Sequence, residues 1–467
     1  MSKGILTKPF RAAGRFFDQN YGSSMFTSRE FFGILGPVII DQFFMYLISM
    51  LTTAMISASS QDSVSAVSLV NPIIYLAMAL FTSVASGGTV VVAQYKGKGD
   101  PVRVRQAAGQ AVLSTLFVAI AVAVLMIVFA SPIVWGLFGT AGDAVCNKAV
   151  EYLIGMSISF IPFSFYSSSF AAMRGIGDSK ACLRLTVIIN VIHLILSMIF
   201  LNILHLDIFG TILSYILARI IGGGTGLYSL MSKRGQLGVF FSDIFRFEGR
   251  LLKSIFRMGV PFAVEQCFYN GGTIIVQAYM VQLGNIAVAA NAIANSAFSL
   301  IYAAGFAVST VTLTVTGQCI GAGEIALAKH YGRRMEWLGN GICLLSVIVI
   351  LPLMPLLLML YAPEAETLPV IYPLLWIGSA FMPFVWSGAN VMSNTLRAAG
   401  DANFTSVTSL VCMWIVRVGL GYLLALPLGL GINGVWIAMG LEWVVKTIVF
   451  RIRFHGDKWY RKKIVEE

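Results

Sequence analysis

Apolar residues in this chain come in long unbroken runs, typified by Ala111 to Phe129 and Ile342 to Leu360. A run of about 20 apolar residues matches the bilayer core crossed as a helix, whereas barrel strands alternate over about 10. Backbone crossing lipid must satisfy its own hydrogen bonds, so runs of this length predict helices. The pattern predicts spans at 31–58, 63–93, 107–138, 148–172, 183–204, 209–231, 256–282, 286–317, 334–361, 367–393, 405–427 and 432–452. The expected class is an all-α membrane protein with twelve transmembrane helices.

The runs repeat. Shifted by 224 residues, Pro37, Asp41, Gln42 and Phe44 fall on Pro261, Glu265, Gln266 and Phe268. Asn71 falls on Asn295, Gln94 on Gln318, Gly97 and Gly99 on Gly321 and Gly323, and His193 on Arg417. Arg174, Gly177 and Asp178 match Arg397, Gly400 and Asp401 at 223. Shared hydrophobicity would make such matches from Leu and Val; here polar residues, glycine and proline make them. Six spans per half bring both halves into the membrane in one direction, so the bundles are parallel and related by a pseudo-twofold along the membrane normal. The expected organisation is a tail at 1–30, a first lobe at 31–231, a linker at 232–255, a second lobe at 256–455 and a tail at 456–467.

Composition agrees. The 467 residues are 57% hydrophobic and 11% charged, against about a quarter charged in soluble domains. The net charge of +11 is explained by placement rather than by a nucleic-acid partner. Basic residues gather in the N-terminal tail (Lys3, Lys8, Arg11, Arg15, Arg29), in alternate connections such as Lys96 to Arg105 and Lys233 to Arg257, and in the final tail. The opposite connections carry only Lys148. Positive residues stay inside, which predicts a plasma-membrane protein with both ends cytoplasmic. The N-terminus has no short apolar core of a cleavable signal. Six singly placed cysteines form no metal or disulfide pattern. Without a phosphate-binding loop or a convergent histidine cluster, an enzyme is not expected, and no cofactor is implied.

Each ionisable group inside the membrane costs about 2.5–3.5 kcal/mol on insertion scales and needs a reason. Asp41 and Glu265 each stand four residues after a proline, on the same helix face, where the missing N–H loosens the helix. They are expected to bind a driving cation or a cationic substrate. Gln42, Gln266, Asn71, Asn291 and Asn295 are neutral partners, with interhelical hydrogen bonding the alternative use. Arg417 and His193 occupy equivalent interior positions, as an acid's partner or a proton relay or as satisfied bundle residues. Glu442 and Lys446 are expected to neutralise one another, Asp207 to be solvated, and Arg219 has no partner in sequence.

Two parallel six-helix halves, Q-x-x-G-x-G turns after the second and eighth spans and R-x-x-G-D turns after the fourth and tenth resemble the multidrug and toxic compound extrusion (MATE) antiporters, of the bacterial NorM and DinF kind. Gly259 to Gly323 is similar to that family's seventh and eighth helices, and Trp414 with Arg417 to its eleventh. The resemblance implies a monomeric antiporter that exports amphipathic, cationic small molecules or drugs in exchange for protons or sodium by alternating access. The first helix diverges: where relatives resemble V-D-T, this chain has Leu51, Thr52 and Thr53. Tyr269 stands where some members place a glutamate in the seventh helix, and is counted with the site. A lipid-linked precursor flippase or a non-transporting receptor are the alternatives.

Overall fold

The computed structural model describes residues 21–56, 61–232, 236–359, 366–461 and 464. The basic residues at 3, 8, 11 and 15, most of the expected N-terminal tail, part of the linker and the end of the C-terminal tail lie outside them, as do the side chains of Thr52 and Thr53. The described residues are all-helical, without strands. The helices of the first half are α1 (Ser28–Ile56), α2 (Gln61–Lys98), α3 (Pro101–Val128), α4 (Asp143–Ile158 and Phe160–Ile176, bent by 44°), α5 (Ser179–Ser197) and α6 (Asp207–Met231). Those of the second are α7 (Gly249–Met280), α8 (Asn285–Gly321), α9 (Ile325–Ile350), α10 (Leu368–Phe381, carried on to Ala398), α11 (Ala402–Cys412, carried on to Ala425) and α12 (Gly431–His455).

Among the described residues, nine helices are long and apolar enough to cross a membrane, and the bent α4 pair makes ten. The two remaining predicted spans, α7 and α12, are helical but carry Glu265, and Glu442 with Lys446, which lower their hydropathy. Helices α1 and α7 run through Pro37 and Pro261 without a break. At the close of α4, Gly177 takes φ +87°, the left-handed conformation that closes a helix at low cost, and Gly400 repeats it at φ +97°.

The buried apolar residues divide by depth. At the end bearing the basic turns, one group joins both halves, running from Val84 and Val112 to Met258, Leu313 and Ala398. A second there packs Phe31 and Leu35 of α1 against Val308, Tyr331 and Phe454. At the opposite end the groups separate: Val70, Phe81 and Tyr152 belong to the first half alone, and Phe298, Trp436 and Trp443 to the second. The halves are joined at the basic end and have separate cores at the other.

Candidate functional site

The junction is built from the duplicated turns. α2 packs along α7, and α8 along α1 and α2. A Cβ on Gly97 would come 1.8 Å from the Gln318 carbonyl oxygen, and one on Gly321 would come 1.9 Å from that of Gln94. Each Q-x-x-G segment thus seats its glycine on the other's glutamine backbone. The amides then cross between halves: Gln94 Nε2 donates to the Ala398 carbonyl at 2.7 Å, and Gln318 Nε2 to that of Gly175 at 2.9 Å. Thr314 Oγ1 donates to the Arg174 carbonyl at 3.0 Å. The two motifs that repeat in sequence therefore hold each other, half to half.

The two acids of the repeat have different surroundings. Glu265 Oε2 pairs with Arg397 and accepts from Ser406 Oγ at 2.8 Å. Arg397 also stacks over Phe262 at 4.9 Å and reaches Thr405 at 3.2 Å. Asp41 is 4% exposed. It faces the Thr186 hydroxyl and Gln42, with Arg174, the counterpart of Arg397, nearby. Arg174 lies over Phe170 at 4.5 Å, and no ion pair to Asp41 forms. Asp41 Oδ1 has no hydrogen-bond partner among the described residues. A carboxylate so placed is short of one positive partner.

In the second half, a cavity of about 530 Å³ is lined by Tyr269, Gln277, Asn291, Asn295, Arg417 and Trp436, among others. Arg417 sits in a π-helical turn, Met413–Leu420, a local widening often found at functional sites. Its Nη1 donates to Tyr269 Oη at 3.2 Å and to Glu442 Oε2 at 3.3 Å, while Lys446 holds the other Glu442 oxygen at 2.5 Å. One acid between two bases leaves this cluster net positive. Asn291 Oδ1 accepts from Trp436 Nε1 at 3.0 Å and from Asn295 at 2.9 Å.

A family model described as MatE matches the chain twice, at residues 37–199 and 261–423. The chain belongs to the MatE family. The two matches of this MatE protein begin 224 residues apart (261 − 37), which is the register of its internal repeat. It is 24% identical over 436 residues to "Uncharacterized transporter YisQ" of Bacillus subtilis, covering 92% of this chain and 95% of the relative. It is 22% identical to "Probable multidrug resistance protein NorM" of Thermotoga maritima, covering 94% of each. Among solved structures it superposes at TM-score 0.82, with 20% identity and coverage of 91% and 95%, on one described as the outward-facing conformation of a multidrug resistance MATE family transporter of the MOP superfamily. These findings make it a multi-pass membrane transporter of a multidrug efflux family, and not an enzyme.

Within the MatE fold, the predicted residues divide into four groups. Asp41 and Gln42 lie together on α1 beside α5. Tyr269, Asn291, Asn295 and Arg417 line one cavity, joined there by Gln277 and Trp436, which no sequence pattern marks. Glu265 is held by Arg397, with Gln266 exposed one residue on. Asn71 accepts from Tyr152 at 3.2 Å, and His193 is within 3.3 Å of Ser197 with its ring tilted 30° against that of Tyr215 at 4.0 Å, both bundle contacts. One expectation changes. Asp207, expected to be solvated, is bound by Lys148 and Ser63, each at 2.7 Å, because the one lysine of the opposite connections can reach it. Arg219 is buried between Phe163 at 4.6 Å and Tyr215 at 5.1 Å and donates to Ser159. Two aromatic faces substitute for an acid.

Proposed function

We propose that this protein is a secondary active exporter of amphipathic small molecules, driven by exchange for protons or sodium and working by alternating access. The basic end faces the cytoplasm, and the linked Q-x-x-G and R-x-x-G-D turns form its inner gate, shut in this arrangement. The observation that carries the reading is Asp41, a buried carboxylate in an efflux fold with an oxygen left unpaired among the described residues. It takes the driving cation, or the positive end of a cationic substrate, when the gate is closed. Glu265 acts through its pair with Arg397, which ties α7 to the turn after α10 and so couples the second half to the gate. The cavity around Arg417, Asn291 and Asn295 receives the polar part of the substrate.

Proteoliposomes test this with a fluorescent cationic drug and an imposed pH or sodium gradient. Gradient-driven flux is expected in the wild type and is expected to fall at least tenfold in Asp41→Asn. Flux in Asp41→Asn equal to that of the wild type would remove Asp41 from the mechanism.

A further inference from the structure

At the basic end lies a second cavity, of about 620 Å³, apart from the transport site. One wall comes from the end of α2 and the turn into α3, with Lys98 and Arg103. The other comes from the first turns of α7, with Arg250, Lys253 and Arg257. Positions 250, 253 and 257 are three and four apart, so their side chains share one face of α7. Like charges at that spacing destabilise an isolated helix, and an anion among them would reverse that cost. Among the residues of this lining, Asp100 is the acid. Asp100 caps α3, its Oδ1 accepting from the Arg103 N–H at 2.9 Å, and Glu248 pairs with Arg103 at 3.0 Å. Lys253 and Arg257 have no acidic partner among the described residues, and both are exposed.

Guanidinium and ammonium groups converging from two walls match the geometry of a phosphate, whose oxygens accept several charged hydrogen bonds at once. The volume favours a substituted phosphate over the free ion. A water occupies about 30 Å³, so inorganic phosphate would leave most of this space empty, whereas a substituted headgroup fills it. Leu251 and Ile464 add apolar surface to the lining. Basic pockets between membrane helices on the cytoplasmic side are the usual receptors for anionic lipid.

We propose that this cavity binds the phosphate headgroup of an anionic phospholipid. Its walls belong to different halves, α2–α3 and α7, so a bound headgroup favours the closed basic end by its difference in affinity for the two arrangements. This is a regulatory site, and it does not depend on Asp41 or on the substrate.

The test is native mass spectrometry of the full chain released from vesicles of phosphatidylcholine with phosphatidylglycerol. Wild type is expected to retain phosphatidylglycerol. Lys253→Gln with Arg257→Gln is expected to retain at least tenfold less, and a control at exposed basic positions outside the cavity, Lys180→Gln with Arg333→Gln, as much as wild type. Equal retention by the cavity variant and wild type overturns the proposal, as does equal loss in cavity and control variants. If the double variant does not fold, Lys253→Gln alone is the substitute, with at least a threefold loss expected and equal retention overturning the proposal. A parallel arm titrates inorganic phosphate into protein held in pure phosphatidylcholine. Binding of phosphate as tight as that of the lipid would assign the site to free phosphate and overturn the lipid reading. Transport by wild type is expected to change at least twofold when phosphatidylglycerol replaces phosphatidylcholine, and that of the cavity variant is not.

Discussion

At the scale of single residues, the decisive distinction is between buried charges that have a partner and those that do not. Arg397→Met would orphan Glu265, and removing one member of a buried pair costs about 3–5 kcal/mol. Both side chains keep close to a sixth of their surface (18% and 17%), so solvent screens part of this and about 2 kcal/mol is expected, read as a lowered unfolding temperature in detergent. Arg219→Met orphans no acid. It removes stacking on two aromatic rings and the contacts to Ser159 and Met78, and is expected to change stability by less than about 1 kcal/mol, because the desolvation cost of the guanidinium is removed with it and no charge is left unpaired. A larger loss for Arg219→Met than for Arg397→Met would contradict this reading of both sites. The pairing of Glu265 could not be read from sequence. Its partner is 132 residues away, and the matched Asp41 and Arg174 do not pair, so the repeat by itself could not predict it.

At the scale of elements, helix positions were legible because hydrophobic length sets them, while helix crossings were not. α2 and α8 meet where Gly97 and Gly321 allow backbone to touch backbone. Ala at either position drives a methyl carbon to within 2 Å of a carbonyl oxygen. Overpacking of this kind costs about 1–3 kcal/mol. Gly97→Ala and Gly321→Ala are each expected to lower transport severalfold by holding the halves apart at the basic end, measured as flux in proteoliposomes alongside unfolding temperature. Ala at Gly33 or Gly36 of α1, where an added Cβ meets nothing within 4 Å, is expected to leave flux near wild type. The repeated spacing identified Gly97 and Gly321 as unusual, but only the crossing shows that each serves the other.

At the scale of the whole molecule, the amides of Gln94 and Gln318 fasten the halves, each through a bond contributing about 1 kcal/mol. Removing both, as Gln94→Ala with Gln318→Ala, is expected to shift the population toward a basic end that is open. A cysteine at Thr314, which is 1% exposed and bonded across the junction, would report it. In a background lacking the six native cysteines, Thr314→Cys is expected to resist a membrane-impermeant maleimide applied from the cytoplasmic side. With both glutamines removed its labelling is expected to rise severalfold. Fast labelling with both glutamines in place would show that the junction is not a closed gate.

The sequence by itself determined the all-helical membrane class, the helix positions and the duplication, because these follow from hydrophobic length and a register that need no partner. It also drew attention to Asp41, through the cost of a carboxylate in lipid. What only the tertiary structure decided is which groups neutralise which. Arg397 takes Glu265, Lys446 and Arg417 share Glu442, aromatic rings hold Arg219, and Asp41 keeps one oxygen unpaired among the described residues. Those outcomes depend on distances of a few ångströms between helices remote in sequence, and two halves with matching motifs resolve them differently.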